Sequence, residues 1–272
     1  MPSYLIIGAS RSIGLEFIRE TASNSTNLVF ALVRNRDSPQ LAEFVEGNPN
    51  RNVYIVQVDV TDHVSFKDAV AKVSEVTGGS LDVLIYNTAR TDTPFFFRKL
   101  SDYKDGADLD KEFTESYKVN VLGFAHAVNA FLPLLRGGST KKIVLISSGA
   151  GDREFALKTH HDSSAAYGTT KAAVNMIMTK FAIELKKENF VVSAMSPGPI
   201  AGSAMIANES DESNKAELAR LLERFREAIP DFDPTPMAPD LLTKKMLKVI
   251  HSLGPAETGT IRSSKEVRSM EL

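Results

Sequence analysis

Short apolar runs rich in Val, Ile and Leu alternate with longer amphipathic segments along most of the chain. The apolar runs are residues 4–8, 27–33, 52–60, 81–87, 141–148 and 190–196. Between them lie helix-like segments at 13–23, 38–46, 62–77, 110–135 and 165–188. Runs that are apolar throughout are typical of strands buried on both faces, as in a parallel sheet. The alternation therefore predicts right-handed βαβ units in an α/β fold, a doubly wound parallel sheet with helices on both faces.

The chain length suits one domain of this kind. Its 272 residues can bury a sizeable core, and neither an internal repeat nor a low-complexity linker divides them. We therefore expect a single Rossmann-type domain over residues 1–272. In such a sheet, ligands bind outside the carboxyl ends of the strands, so functional residues should follow the apolar runs.

The alternation is interrupted late in the chain. A polar segment at 207–217 overlaps a helix-like run at 214–229, and a proline-rich connection follows at 230–239. We interpret residues 201–236, approximately, as a lid over the ligand site. The apolar residues of its underside are Met205, Ile206, Phe225 and Phe232. Helical core packing explains Phe225 equally well.

Composition and charge argue against several classes of function. A net charge of −2 without a basic stripe gives no electrostatic reason to expect a nucleic-acid partner. We find no run of about 18 apolar residues and no room for a signal peptide, so we expect a cytoplasmic protein without a membrane partner. The absence of cysteine excludes disulfides and thiolate catalysis. His160, His161 and Asp162 lack a further ligand at useful spacing, so we expect exposed side chains and no metal site.

A glycine-containing turn, LIIGASRSIG at residues 5–14, follows the first apolar run. Gly8 ends the predicted strand, and Gly14 lies in the first turn of the predicted helix. Backbone amides there, with the positive end of the helix, can hold a pyrophosphate. The predicted cofactor contacts of this turn are Gly8, Ser10, Arg11, Ser12, Ile13 and Gly14. The alternative is a bare strand-to-helix turn, and the order of strand, turn and helix favours the phosphate site.

Arginine follows the second apolar run, where a nicotinamide cofactor without the extra phosphate usually meets an acidic residue. Guanidinium groups can hold phosphate with two hydrogen bonds, so Arg34 and Arg11 predict binding of NADP(H) through its 2′-phosphate. The alternative is that both arginines are solvated loop residues. Asp59, at the end of the third run, is a candidate contact of the adenine ring, and we include Val60 beside it.

Tyr167 and Lys171 are four residues apart, a spacing that puts both side chains on one face of a helix. A free tyrosine titrates at about pH 10, and a neighbouring lysine cation lowers that pKa by favouring the phenolate. Tyr167 could then pass a proton to or from a substrate oxygen near neutral pH. This spacing also arises by chance on helix surfaces. Two further residues favour a site: Ser148 ends the fifth run, and Asn120 lies inside a helical segment where asparagine is unfavourable.

The order and spacing of these motifs over residues 3–200 resemble the short-chain dehydrogenase/reductase family. Asn87 and Ala89 correspond to the NNAG turn of that family, which supports the sheet and lines the cofactor. The remaining cofactor contacts implied by the resemblance are Pro197, Gly198 and Ile200. The resemblance implies an oxidoreductase that transfers hydride from NADPH to a ketone or aldehyde of a small, fairly apolar molecule. It also implies a homodimer or homotetramer.

The resemblance gives each matched catalytic residue a role. Tyr167 would be the general acid that protonates the carbonyl oxygen as hydride arrives. Lys171 would bind the nicotinamide ribose and lower the pKa of the tyrosine, and Ser148 would hydrogen-bond the substrate carbonyl. Asn120 would hold a water that links Lys171 to a proton relay.

The glycine turn departs from the family pattern TGxxxGxG, because Ile7 replaces the threonine and Ser12 replaces the middle glycine. The NNAG turn reads YNTA at residues 86–89. We expect Ser12 still to permit phosphate binding, since a small hydroxyl side chain can fit there or donate a hydrogen bond.

Two further departures lie near the predicted active site. Residues 152–163 lengthen the segment between Ser148 and Tyr167, which leaves Ser147 and Ser164 as alternatives for the serine role. The threonine usual after the PG pair is missing, and Ser203 is the nearest hydroxyl.

Two interpretations stay open beside the main ones. The phenylalanine-rich segment 94–100 suits the core or a subunit interface better than a stacking platform, although its place after the fourth run also allows a pocket wall. A catalytically idle NADP(H)-binding sensor or interaction protein is the alternative function. The presence of all four candidate catalytic residues favours an enzyme.

Overall fold

Seven parallel strands form one sheet in the order β3-β2-β1-β4-β5-β6-β7. The computed structural model describes residues 1–91, 93–202, 212–229 and 232–272, with side chains of the third range described from residue 216. The strands are β1 (Ser3–Ile7), β2 (Leu28–Val33), β3 (Val53–Gln57), β4 (Val83–Tyr86), β5 (Lys142–Ile146), β6 (Val191–Met195) and β7 (Ile261–Arg262). This order, in which the chain turns back at β1 and winds outward from β4, confirms the predicted doubly wound sheet. The seventh strand lies outside the predicted runs.

Helices cover both faces of the sheet. They are α1 (Ser12–Ala22), α2 (Pro39–Gly47), α3 (Phe66–Thr77), α4 (Gly106–Tyr117), α5 (Gly123–Gly137), α6 (Arg153–Lys158), α7 (Ala165–Leu185), α8 (Glu212–Ala228), α9 (Pro239–Ser252) and α10 (Ser264–Arg268). The helix predicted over 110–135 is in fact two helices joined by a π-helical turn at Lys118–Leu122. Two further predictions need correction: strand β3 is shorter than its apolar run, and the segment at 152–163 contains helix α6 rather than only loop.

Alternate residues of the central strands enter two separate apolar clusters, one on each face of the sheet. On one face, Leu5 belongs to the cluster of Phe124 and Phe131. On the other face, Ile6 belongs to the cluster of Phe17. All five side chains are inaccessible to solvent. The period of two along each strand therefore buries both faces, which is why the strands are apolar throughout.

The continuous helical stretch Gly106–Gly137 is the one described helix that is long and apolar enough, by length and composition, to cross a membrane. The mean hydropathy of this stretch is high, although polar residues interrupt it and leave no continuous run of about 18 apolar residues. Its aromatic residues Phe124 and Phe131 are fully buried in the cluster beside the sheet. Packing of a core helix therefore accounts for the apolar character of the stretch.

The described residues that flank the segment interpreted as a lid are bonded to each other. Ile200, after β6, forms a parallel β-bridge with Met237, just before α9. The Ala201 amide donates to the Met237 carbonyl at 2.9 Å, and the Met237 amide donates to the Pro199 carbonyl at 3.1 Å. Helix α8 matches the predicted helical run at 214–229 closely. Ser203, Met205 and Ile206 lie outside the described residues.

Candidate functional site

A cavity of about 1440 Å³ lies at the edge of the sheet where strands β1 to β6 end. The predicted site residues that line it are Gly8, Ser10, Arg11, Ser12, Ile13, Arg34, Asp59, Val60, Asn87, Ser148, Tyr167, Lys171, Pro197, Gly198 and Ile200. Gly14 and Asn120 are buried and do not line it. A single small ligand fills about 300–1,000 Å³, so the cavity has room for a dinucleotide and a second small molecule.

Ser148 and Tyr167 are brought together on the wall of this cavity. Ser148 follows β5, and its hydroxyl hydrogen-bonds the phenol of Tyr167, which lies in the first turn of α7. Burial raises the pKa of Tyr167 to about 12, and the hydrogen bond from Ser148 opposes that shift only in part. The phenol is therefore protonated at neutral pH and can act as a proton donor.

Lys171 lies one helical turn beyond Tyr167. Its Nζ is 5.5 Å from the centre of the Tyr167 ring and donates a hydrogen bond to the Ile146 carbonyl at 2.8 Å. Burial lowers the pKa of Lys171 to about 8. We expected the lysine to lower the pKa of the tyrosine. In this arrangement it does not, because the ammonium group is directed to a backbone carbonyl and desolvation of the phenol dominates.

Asn120 does not line the cavity, and it supports the elements around it. It lies in the π-helical turn, where the Gly123 amide donates to the Lys118 carbonyl five residues earlier. The Asn120 side chain accepts from the Arg90 amide at 2.8 Å and donates to the Thr170 hydroxyl at 2.8 Å. Asn120 is thus fixed by two protein hydrogen bonds, and its predicted water-holding role stays a prediction.

Thr170 connects Asn120 to helix α7. Its hydroxyl donates to the carbonyl of Tyr167 at 2.8 Å while accepting from Asn120. A residue that sequence reasoning missed, Arg90, pairs with Glu112 and Glu115 of α4. These contacts connect the loop after β4, helix α4 and helix α7, and they hold the backbone of Tyr167 in place.

The two alternative serines are not partners of Tyr167. Ser147 is buried and donates to the Asn175 side chain at 2.6 Å. Ser164 precedes α7 and its carbonyl accepts from the Gly168 amide at 2.8 Å. Of the three candidates, Ser148 alone has the phenol of Tyr167 as a hydrogen-bond partner among the described residues.

The glycine turn is packed too tightly for side chains at its two glycines. Gly8 has φ of +87°, and a Cβ there would lie 2.6 Å from the Thr88 hydroxyl. A Cβ at Gly14 would lie 2.0 Å from the Gly8 carbonyl oxygen. Asn87 closes the turn from β4, because its side-chain nitrogen donates to that same carbonyl at 2.9 Å. The turn and the NNAG-like segment therefore build one rigid floor for a ligand.

Ser12 occupies the left-handed conformation that the glycine of the family pattern would adopt, with φ of +51°. Its hydroxyl is buried and has no hydrogen-bond partner among the described residues. It lies at the start of α1, where the backbone amides and the helix dipole favour an anion. An unused hydroxyl donor in this position fits the pyrophosphate of a dinucleotide.

The loop after β2 lies on the side of the cavity where the sequence predicts the nucleotide. Arg34 is exposed and lines the cavity. The Arg34 carbonyl accepts from the Gln57 side chain at 3.1 Å, and the Ser38 hydroxyl donates to the Ser10 carbonyl at 2.9 Å. These bonds fix the loop after β2 beside the glycine turn. Ser12 and Arg34 therefore lie in one site, where a single ligand with two phosphate groups can contact both.

The opposite side of the cavity is aromatic, and sequence reasoning identified only part of it. The aromatic residues that line it are Phe96, Phe155, His161, Phe225 and Phe232. The ring of Phe96 lies 5.1 Å from that of Tyr167, so the phenylalanine-rich segment does form a pocket wall. Phe155 and His161 come from the inserted segment at 152–163. Its position between Ser148 and Tyr167 was the one sequence signal that pointed to them.

His161 corrects the expectation that both histidines are exposed. His160 is exposed, but His161 packs its ring against Phe225 at 5.5 Å. Burial lowers the pKa of His161 to about 4, and its Nδ1 is buried without a partner among the described residues. In the part of the chain that the structure describes, no three potential metal ligands cluster.

A family model described as short chain dehydrogenase matches residues 3–214. The chain is 41% identical over 199 residues, 73% of this chain and 74% of the relative, to the short-chain dehydrogenase/reductase atnB of Arthrinium sp.. It is 34% identical over 253 residues, 93% of this chain and 92% of the relative, to the short-chain dehydrogenase/reductase AacuF of Aspergillus aculeatus.

Solved structures share the fold. The NADPH-bound carbonyl reductase from chicken fatty liver matches with a TM-score of 0.73 and 24% identity, covering 98% of this chain and 97% of that one. The carbonyl reductase Sniffer of D. melanogaster matches with a TM-score of 0.76 and 18% identity, covering 97% of each chain. Together with the family match, these relationships show that the chain belongs to the short-chain dehydrogenase/reductase family of oxidoreductases.

Proposed function

We propose that the protein is an NADPH-dependent carbonyl reductase that acts on a ketone or aldehyde of a small, fairly apolar molecule. One observation carries the proposal: the phenol of Tyr167 is hydrogen-bonded to Ser148 on the wall of the large cavity. Two hydroxyl groups that meet at one point can both donate to a carbonyl oxygen. The aromatic wall beside them suits an apolar substrate body.

The nucleotide side of the cavity supports NADPH as the cofactor. Ser12 and the backbone amides at the start of α1 would hold the pyrophosphate, and Arg34 would pair with the 2′-phosphate. When bound, NADPH supplies the hydride that reduces the carbonyl carbon. The NADPH-bound reductase from chicken fatty liver shares the fold and is named for the cofactor and activity proposed here.

The proton comes from the chain itself. Tyr167, neutral because its pKa is about 12, donates a proton to the developing alkoxide, which is a stronger base than a phenolate. Ser148 donates a second hydrogen bond to the same oxygen and stabilises its charge. Lys171, whose Nζ lies 5.5 Å from the centre of the Tyr167 ring, would bind the nicotinamide ribose of NADPH.

Turnover in the presence of NADPH tests the reaction. We would follow NADPH oxidation with aldehydes, quinones and aliphatic and aromatic ketones for wild type, Tyr167→Phe and the matched control Tyr117→Phe, which changes an exposed tyrosine of α4. Tyr167→Phe should lose at least about a hundredfold in kcat/KM, and the control should lose nothing. A Tyr167→Phe enzyme with normal turnover contradicts the proposal. Tight NADPH binding without turnover by wild type on the whole panel supports the idle sensor instead.

Cofactor preference tests the phosphate clamp separately. Arg34→Ala should lower kcat/KM for NADPH by about tenfold or more, since a charged hydrogen bond contributes about 1.5–3 kcal/mol, and should leave NADH unchanged. Arg36→Ala is the matched control, because Arg36 is exposed nearby but does not line the cavity. A wild-type enzyme that prefers NADH refutes the clamp.

We also propose a homodimer or homotetramer. Helix α7 exposes Met176 and Ile183, whose side chains are 57% and 67% accessible. They are seven residues apart and therefore share one face of the helix. Leu122, beside the π-helical turn, is 41% accessible. Exposed apolar side chains on one helix face suit a symmetric contact with a second copy.

A further inference from the structure

The aromatic wall flanks both candidate catalytic hydroxyls. On one side, the Phe96 ring lies 5.1 Å from the Tyr167 ring. On the other side, Phe155 covers Gly149, the residue after Ser148, so closely that a Cβ at Gly149 would lie 3.7 Å from the Phe155 ring. A substrate carbonyl that reaches both hydroxyls therefore places the rest of the molecule among aromatic rings, which favours a flat aromatic body.

The inserted segment and the lid build this wall together. Phe225 of α8 packs edge-on against Phe155 at 4.8 Å and against His161 at 5.5 Å. Arg224, the neighbour of Phe225, contacts the His160 carbonyl at 3.2 Å and the Asp162 carboxylate at 3.3 Å. These contacts fix His160 and Asp162, the two neighbours of His161 in sequence, and so hold the His161 ring against the cavity.

His161 is the polar exception in this wall. Neither of its ring nitrogens has a hydrogen-bond partner among the described residues, and Nδ1 is fully buried. A buried N–H without an acceptor is costly, so the proton is better placed on Nε2, the nitrogen that is not enclosed. The imidazole is neutral at physiological pH, because burial lowers its pKa to about 4. His161 lines the large cavity and also a smaller neighbouring one, so this uncharged donor belongs to the wall that a molecule in the large cavity would contact.

We propose that the substrate is an aromatic ketone with a second oxygen on its ring system, and that His161 selects it by donating a hydrogen bond to that oxygen. The inference rests on the proposed reductase function and extends it to the substrate class. It makes His161 a specificity-determining residue, distinct from the groups that transfer the proton.

The test compares ketones that differ by one hydroxyl. The probes are 1-tetralone, its 5-, 6- and 7-hydroxy derivatives, and the non-aromatic 2-decalone, each assayed with NADPH. Wild type should reduce 1-tetralone better than 2-decalone. It should prefer at least one hydroxytetralone over 1-tetralone by about threefold to tenfold in kcat/KM, which is the contribution of one neutral hydrogen bond.

Two variants of His161 and one control variant test the role of the imidazole. His161→Phe keeps an aromatic ring and removes the nitrogens, so the ratio of kcat/KM for the preferred hydroxytetralone over that for 1-tetralone should fall from about threefold to tenfold to about one. His161→Gln keeps a donor and should retain part of the preference. His160→Phe, at the exposed neighbour, should behave as wild type. Melting temperatures of all three variants report whether the fold is intact.

Each failure has its own signature. A hydroxytetralone preference that survives in His161→Phe, or is absent in wild type, overturns the role of His161 and leaves the reductase function standing. Turnover of 2-decalone without turnover of any tetralone overturns the aromatic class. If no ketone is reduced, the proposed function fails, and calorimetric binding of the hydroxytetralones decides the inference: equal affinity for wild type and His161→Phe overturns it.

Discussion

Replacing Ser12 by alanine should move stability and cofactor affinity in opposite directions. In the structure the Ser12 hydroxyl is buried without a partner among the described residues, and such a group costs about 1–3 kcal/mol. A methyl group removes that cost and keeps the left-handed φ of +51°. Taking the lower end, because Ser12 borders the open cavity, we expect the melting temperature without cofactor to rise by about 2 °C.

The same change should weaken NADPH binding. A hydrogen bond from the hydroxyl to a phosphate oxygen contributes about 1.5–3 kcal/mol, so its loss raises the Kd by about tenfold or more. Fluorescence titration of NADPH measures this, and Ser23→Ala is the control at the far end of α1, where the hydroxyl bonds the Glu20 carbonyl.

Ser12→Gly separates the hydroxyl from the backbone. Glycine adopts the left-handed conformation without strain, yet it should lose the same affinity as alanine if the hydroxyl binds phosphate. An unchanged Kd in Ser12→Ala would refute the reasoning. Tighter binding by Ser12→Gly would refute it more strongly, since the serine would then be an obstacle.

Four further predictions concern pH, assembly, the lid and stability. Oxidation of an alcohol needs the Tyr167 phenolate, so with a pKa of about 12 its rate should rise by about tenfold per pH unit between pH 7 and 9; a plateau at pH 7 in a rate profile would show a much lower pKa. Met176→Lys with Ile183→Glu should convert the assembly to a monomer in sedimentation at micromolar concentration, and a wild type that is already monomeric contradicts the proposed interface. Phe232→Ala should change kcat/KM among ketones more than the Kd of NADPH, because Phe232 packs on Phe225 over the cavity; equal losses for cofactor and all substrates would assign it to the fold. Burial raises the pKa of Asp82, but hydrogen bonds from Ser139 and Ser3 outweigh it and lower that pKa below 3.8. Asp82→Asn should therefore cost about 2 kcal/mol in urea unfolding at pH 7, and the difference should shrink as pH falls from 3.8, where the carboxylate of the unfolded chain becomes protonated, through the lower pKa of the folded protein.

Much of the fold and the catalytic group follows from local sequence patterns. Strands buried on both faces produce continuous apolar runs, and the residues after each run meet at one edge of the sheet. The four-residue spacing of Tyr167 and Lys171 is a property of a single helix, so it is readable without a structure. Strand β7 was missed because it has only two residues, too few to show a period.

Other features depend on contacts between distant segments. The π-helical turn at Asn120 is supported by Arg90 and Thr170, which lie on other elements, and an apolar pattern does not report it. The polar sequence around His161 predicts an exposed loop residue, whereas its burial depends on Phe225 from helix α8. The direction of the Tyr167 pKa shift likewise reflects burial by the whole site rather than its neighbour in sequence.

The bridge between Ile200 and Met237 makes the segment between them a loop whose two ends are neighbours in the fold. Because the entropic cost of closing a loop grows only slowly with its length, such a segment can be lengthened, shortened or rewritten while its attachment points stay fixed. The glycine turn, Ser148 and Tyr167 belong to the scaffold outside that loop. The loop and the glycine turn, Ser148 and Tyr167 are thereby encoded in separable stretches of the sequence, so the loop can change without renewed selection of those residues.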